Sequence, residues 1–115
     1  MMKQYHLYVF TQESCPPCKR LKEHVSTLTA DEQAELDFVP LKTPAGQRTA
    51  LAEELQVELS PTLVVTHRDV ICTIDQDGDE WCSSAEDPIE RYVGANEIIM
   101  FLQSTLDAYT YCHPE

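Results

Sequence analysis

The chain has 115 residues, with 20 Asp and Glu against 8 Lys and Arg and a formal net charge of −12. That surplus repels phosphate backbones and anionic headgroups, so nucleic acid and membrane surfaces are excluded as expected partners. A chain of this size buries about two-thirds of its unfolded surface and folds without staples, and its longest apolar stretches, such as Leu63 to Val65 and Ile98 to Leu102, fall far short of the roughly 20 residues of a membrane span.

No stretch is rich enough in Gly, Pro or Ser to be a linker and no repeat is present, so one domain over residues 1–115 is expected. Lys3 is followed only by Tyr5 to Phe10, interrupted by His6, with no small-residue cleavage site; this start does not match a secretory signal, and the cytoplasm is the expected compartment. Tyr5 to Thr11 is dense in aromatic and β-branched residues and predicts a buried strand. From Pro16, the residues Leu21, Val25 and Leu28 recur at helical spacing, with Lys19, Arg20, Lys22 and Glu23 between them. This helix stops near Leu28 or restarts at Thr29, whose spacing to Glu32 fits a capping box. Leu36 to Leu41 predicts a second strand, and Ala45 to Val57 a second helix with Leu51 and Leu55 one turn apart. Thr62 to Thr66, introduced by Ser60 and Pro61, predicts a third strand. Val70 to Ile74 and a segment between Trp81 and Val93 predict two more around an Asp77-Gly78 turn. The last helix is expected from Asn96 to Ala108, with Ile98, Ile99, Leu102 and Leu106 inward, and a frayed tail from Thr110 to Glu115.

Five cysteines are too few for a disulfide scaffold, and their odd number leaves at least one unpaired. The informative motif is Cys15-Pro16-Pro17-Cys18, between the first strand and the first helix. At that junction Cys15 becomes the N-cap and Cys18 the third helical residue. The Cys15 sulfur then faces unpaired backbone N–H groups and the positive end of the helix dipole, which favours a thiolate. Pro16 and Pro17 are tolerated where the helix has no N–H partner to lose. Lys19, Arg20 and Lys22 add positive potential and are expected to lower the Cys15 pKa further. Half a zinc site is the competing reading. Against it, no second C-x-x-C exists, and Pro17 removes a donor that a metal knuckle aims at a thiolate. A dithiol redox centre is favoured, with Cys15 attacking a disulfide and Cys18 resolving the mixed disulfide. Ser60-Pro61-Thr62 stands at a strand start, where a cis bond can hold a tight turn and Pro61 can pack against the Cys15 sulfur; an ordinary trans proline at a strand edge fits the same residues.

With strand, Cys-x-x-Cys, helix, strand, helix, Pro-Thr strand entrance, hairpin and final helix in that order, the chain resembles the thioredoxin superfamily from Tyr5 to about Leu106. The resemblance implies an α/β thioredoxin fold: a mixed central sheet with helices on both faces, here with an extended hairpin before the last helix. It implies Cys15 as attacking thiol, Cys18 as resolving thiol and Pro61 as the cis-proline. Ser60 would be the residue whose backbone pairs with substrate, and Gly94, before the last helix, the glycine that keeps the substrate groove open. Pro16 and Pro17 would border that groove. Two departures stand out: Ser14 replaces the Trp that usually precedes the first Cys, and Val9 replaces a buried Asp of the first strand. Both make the N-terminal half similar to glutaredoxins. The C-terminal half, with Val93-Gly94-Ala95 and no Gly-Gly pair, is similar to thioredoxins, and the hybrid resembles the small thioredoxin- or glutaredoxin-like proteins that phages and bacteria encode.

The implied activity is that of a monomeric protein-disulfide reductase. It needs no bound cofactor but draws electrons from a thioredoxin reductase or from glutathione. The missing Gly-Gly pair and the acidic hairpin disfavour an anionic tripeptide, so the reductase is the expected donor. A glutathione-dependent reductase and a non-catalytic binding or scaffold protein are the alternatives.

The segment Arg68 to Arg91 is longer than the usual hairpin and holds Cys72 and Cys82, which can bridge if they lie opposite each other on hairpin strands; register is not readable in the sequence, a reducing compartment disfavours the bond, and two buried thiols are expected. Asp75, Asp77, Asp79, Ser83 and Glu86 match calcium-loop spacing, yet the glycine position is Glu80 and a strand-like segment precedes; an acidic hairpin tip is favoured. His6, His24 and His67 show no ligand spacing to the cysteines and are expected to be structural or exposed, and Cys112-His113 an exposed thiol in the tail.

Overall fold

The computed structural model of the chain describes residues 5–109, with side chains described outside 68–71 and 83–86. The expected tail and Cys112 therefore lie outside the described residues. The elements are β1 (Tyr5–Thr11), α1 (Pro16–Val25), α2 (Ala30–Ala34), β2 (Leu36–Pro40), α3 (Ala50–Glu54), β3 (Thr62–Ile74), β4 (Glu80–Val93) and α4 (Ala95–Tyr109). They form one sheet in the order β2-β1-β3-β4. β1 pairs parallel to β2 and antiparallel to β3, and β3 pairs antiparallel to β4. This is the thioredoxin-like fold that the order of predicted elements implies.

A strand bonded on both sides and covered on both faces must be apolar on both, and β1 is. Leu7 and Val9 point to one face, where they join Leu63 and Val65 of β3, Leu21 and Val25 of α1, and Ile98, Leu102 and Leu106 of α4. Phe10 points to the other, with Val64, Leu41, Ala52, Leu55 and Val57 around α3. Leu7, Phe10, Leu21, Leu63 and Ile98 have no exposed surface, each such side chain contributing about 2 kcal/mol by transfer from water. Residues i and i+1 of one strand thus hold two separate cores together. His6 and His67 take structural places beside aromatic rings, His6 against Tyr8 and His67 against Tyr5.

The first helix ends at Val25 and the chain restarts at Thr29, the second of the two expected courses. Thr29 Oγ1 accepts from Glu32 N and Glu32 Oε1 accepts from Thr29 N, a complete capping box. The expected helix over Ala45 to Val57 is corrected: only Ala50–Glu54 is helical. Gly46, at φ +87, turns the chain so that its N–H reaches Thr43 O, and Lys42 bridges Arg48. Thr49 then caps the helix by accepting from Ala52 N. Gln56, at φ 58, ends it, and the Arg91 guanidinium donates to the freed carbonyls of Gln56 and Leu55.

β3 is one strand of 13 residues where two shorter ones were expected. The irregularity instead lies in its partner: Val65 pairs with Glu90 and Thr66 with Pro88, leaving Ile89 as the extra residue of a bulge. Pro88, which cannot donate to a ladder, sits beside that bulge on the edge strand. Pairing with β1 ends at His67, so among the described residues 68–74 of β3 and 80–86 of β4 pair in the ladder only with each other. They form a two-stranded ribbon reaching past the sheet, and the radius of gyration is 16.2 Å where a compact chain of this length has about 13 Å.

The expectation of two buried thiols is corrected here. Cys72 and Cys82 are directly opposed in the ladder, joined by a disulfide, and exposed. A lone two-stranded ribbon has no second layer in which to bury them. At its tip the Asp75 carboxylate accepts from Asp77 N, Asp79 N and Trp81 Nε1. The Trp81 bond, more than the backbone bonds, holds the Asp75 carboxyl below its usual range. Asp75, Asp77 and Asp79 gather there with carboxylate oxygens within 4.8 Å of one another, and the side chains of Ser83 and Glu86, the other calcium-spaced residues, lie outside those described. The tip is the acidic hairpin turn. Among the described residues no helix is long and apolar enough to cross a membrane.

Candidate functional site

The topology brings two loops to one place. β1 ends at Thr11 and leads through Ser14, at φ 54, to Cys15; β3 starts at Thr62, the partner of Phe10 in the antiparallel ladder. The residues just after β1 and just before β3 must therefore meet at the same edge of the core. They do: Cys15 Sγ lies 3.6 Å from Ser60 Oγ and 3.9 Å from Ser60 O. The Ser60–Pro61 peptide bond is cis, and Pro61 is buried.

Cys15 is the N-cap of α1, with Pro16 and Pro17 at the first two helical positions. Its sulfur accepts from Cys18 N at 3.3 Å, so a helix-terminal N–H points at it. The two sulfurs are joined in a disulfide. Cys15 is half-buried, whereas Cys18 is 2% exposed. Both line a cleft, and Cys15 is the more exposed of the pair.

Gly94 closes the third side. Its N–H donates to Pro61 O at 2.9 Å, its carbonyl accepts from Ile98 N to begin α4, and its φ is +93. A Cβ built at Gly94 meets nothing within 4 Å. The glycine is required by the backbone turn, and the space it faces is open. Ser60, Pro61, Gly94 and the Cys15-Pro16-Pro17-Cys18 turn are thus one contiguous region. Leu59, 62% exposed, and Val93, 39% exposed, adjoin it and present apolar surface.

The basic residues divide. Lys19 and Lys22 line the cleft at Cys15 together with Gln12, Glu13 and Ser14. Arg20 donates to Asn96 Oδ1 at 3.0 Å, tying α1 to the start of α4. Lys22 also lies over the Phe38 ring at 5.9 Å. Gln12 went unnoticed in the sequence: its Oε1 accepts from Ser60 Oγ at 2.9 Å and orients the hydroxyl beside Cys15. Nothing in its surroundings marks it, because its partner is 48 positions away. Val9 belongs to the apolar core. Among the described residues the only buried carboxylate is Glu32, which is held by Thr29 and by Gln103 of α4.

A family model described as a thioredoxin-like domain matches residues 2–80. No curated protein matches the chain. Among solved structures, a Fasciola hepatica thioredoxin is similar at 23% identity and a TM-score of 0.56, covering 94% of this chain and 83% of its own. A thioredoxin from Thermus thermophilus is similar at 20% identity and 0.57, covering 93% and 75%. A thioredoxin f2 in complex with ferredoxin:thioredoxin reductase is similar at 15% identity and 0.58, covering 92% and 77%. These likenesses are of fold.

Proposed function

The chain belongs to the thioredoxin-like domain family, and from that premise we propose that it is a thiol-disulfide oxidoreductase that reduces protein disulfides through Cys15 and Cys18. The observation that carries the reading is the asymmetry of the pair: one sulfur at a helix N-terminus and open to the cleft, its partner buried beneath. A thiolate at Cys15 is favoured by the Cys18 N–H and the helix dipole. It attacks one sulfur of a substrate disulfide; a Cys15–substrate bond forms, the substrate S–S bond breaks, and the other substrate sulfur leaves as a thiolate. Cys18 then attacks Cys15 Sγ, releasing the second substrate thiol and closing the Cys15–Cys18 disulfide. Two electrons pass to the substrate. With Val9 at the position of a buried acid, the departing substrate thiolate is the base at hand for the Cys18 proton.

The substrate is an extended segment. Its main chain pairs with the Ser60 backbone, which Pro61 presents, while Leu59, Val93, Pro16 and Pro17 supply apolar contact and Gly94 leaves room. No cofactor is bound in the cycle. Electrons come from a thioredoxin reductase, the class of partner with which one structural relative was solved; glutathione, an anion, meets a chain of net charge −12. The protein works as a monomer in the reducing cytoplasm.

The test is a trapping experiment. Cys18→Ser is expected to accumulate a mixed disulfide with a protein substrate, and Cys15→Ser to form none. Equal trapping by both variants refutes the two-step scheme. Insulin precipitation with dithiothreitol separates a reductase from a binding protein, and NADPH oxidation coupled to thioredoxin reductase or to glutathione reductase identifies the donor.

A further inference from the structure

The ribbon carries a disulfide that the scheme above does not use. Cys72 and Cys82 are exposed, and no sheet or helix covers them among the described residues. Their own chain's Cys15 does not reach them. Cys15 meets β3 at its start, and Cys72 lies about 33 Å along that strand at about 3.3 Å per residue. Any reduction of this bond is therefore intermolecular.

We propose that the Cys72–Cys82 disulfide is a second redox site of this protein, reduced in trans by the Cys15–Cys18 dithiol of another copy. The inference rests on the reading of Cys15 as attacking thiol. Three features of the ribbon suit it as the occupant of that cleft. It is already extended, and its outer edges are unpaired among the described residues, so its main chain is free to bond alongside Ser60. Exposed Ile74, two residues along the strand from Cys72 and so on the face of the disulfide, matches the apolar rim at Leu59 and Val93. Its charge is also complementary. A Glu80 carboxylate oxygen lies within 4.8 Å of both sulfurs, and Asp75, Asp77 and Asp79 crowd the tip, whereas the cleft presents Lys19 and Lys22 against the single carboxylate of Glu13. A free anionic thiol is repelled by that tip, and a thiolate flanked by two lysines is not.

The step balances. The Cys15 thiolate of one copy attacks Cys72 or Cys82 Sγ of the other; the ribbon S–S bond breaks, an intermolecular S–S bond forms, and the second ribbon sulfur leaves as a thiolate that takes up a proton. Cys18 then attacks Cys15 Sγ and frees the remaining ribbon thiol. One copy ends oxidised at Cys15–Cys18, the other reduced at its ribbon.

The experiment uses full-length chains carrying Cys112→Ser. The acceptor is 15N-labelled Cys15→Ser/Cys18→Ser with its ribbon disulfide intact, and the donor is the unlabelled chain, fully reduced and freed of reductant. After mixing, acid quench and alkylation, mass spectrometry counts the alkyl groups on the heavy chain. The acceptor is expected to gain two, at least about tenfold faster than with a reduced Cys15→Ser donor. Equal rates with the two donors overturn the proposal, because ribbon thiols then exchange without Cys15. So does an acceptor that stays oxidised while the same donor reduces insulin, a result that leaves the reductase reading standing. If neither insulin nor the ribbon is reduced, both readings fall.

Discussion

Removing the ribbon disulfide is expected to loosen the ribbon and leave the sheet intact. The bond closes a loop across a sequence separation of 10, and the chain-entropy relation assigns such a loop about 2.7 kcal/mol, or roughly a hundredfold in an opening equilibrium. Where that energy acts depends on connectivity. Among the described residues, 68–74 and 80–86 pair only with each other, and a lone two-stranded ribbon is marginal in water. The ribbon is then a unit that opens without the core, whose Leu7, Val9, Leu63 and Val65 lie beyond its base. The measurement is native-state hydrogen exchange on Cys72→Ser/Cys82→Ser beside the parent chain. Ribbon amides are expected to lose protection by up to about a hundredfold, while amides of β1 and of Thr62 to Val65 keep theirs. Thermal unfolding of the core should move by no more than about 2 °C. A uniform loss across both regions would refute the reasoning, since the ribbon would then fold as one unit with the sheet.

With the chain reduced, iodoacetamide near neutral pH is expected to modify Cys15 before Cys18, because Cys15 is half-buried where Cys18 is 2% exposed, and it receives the helix N–H; peptide mapping that finds Cys18 first reverses the two roles. Arg91→Ala removes the bonds to the carbonyls of Leu55 and Gln56 that finish α3, at a cost of about 1.5 kcal/mol and a Tm lower by about 6 °C. Arg91→Lys should recover only part of this, since an ammonium lacks the fork. The Tyr109 hydroxyl donates to Glu90, and that bond, with burial second, pushes its pKa up to about 12 from 10.0; the same carboxylate raises Tyr92. Folded-state pKa values above the unfolded value hold protons that the unfolded chain releases, so this contribution to stability is complete below pH 10 and is lost as pH rises towards 12. Spectroscopic titration should show two late tyrosines that Glu90→Gln moves back towards 10; no movement refutes the assigned partner.

Local chemistry made several parts of this molecule legible in the chain. Cys15 as N-cap with Pro16 and Pro17 behind it, the capping box from Thr29 to Glu32, and the apolar run of β1 all depend on neighbours within a few residues. From their order the thioredoxin-like sheet and the meeting of the Cys15 turn with the Ser60-Pro61 strand entrance followed, since a strand antiparallel to β1 has to begin where β1 ends; that the sulfur lies against Ser60 came from the structure. The length of α3 was less legible, because Leu51 and Leu55 keep helical spacing while Gly46 and the Thr49 cap delay the start. The remainder depended on partners far apart in sequence. Gln12 reaches Ser60, Arg20 reaches Asn96 and Arg91 reaches the end of α3 only after the sheet has brought them together. The ribbon turned on register: a shift of one residue between β3 and β4 separates Cys72 from Cys82, and that register follows from the turn at Asp75 and the bulge at Ile89. Alternation in the chain sets which residues share a face, whereas pairing across strands is set by the assembled sheet, and it was pairing that turned two expected buried thiols into an exposed disulfide.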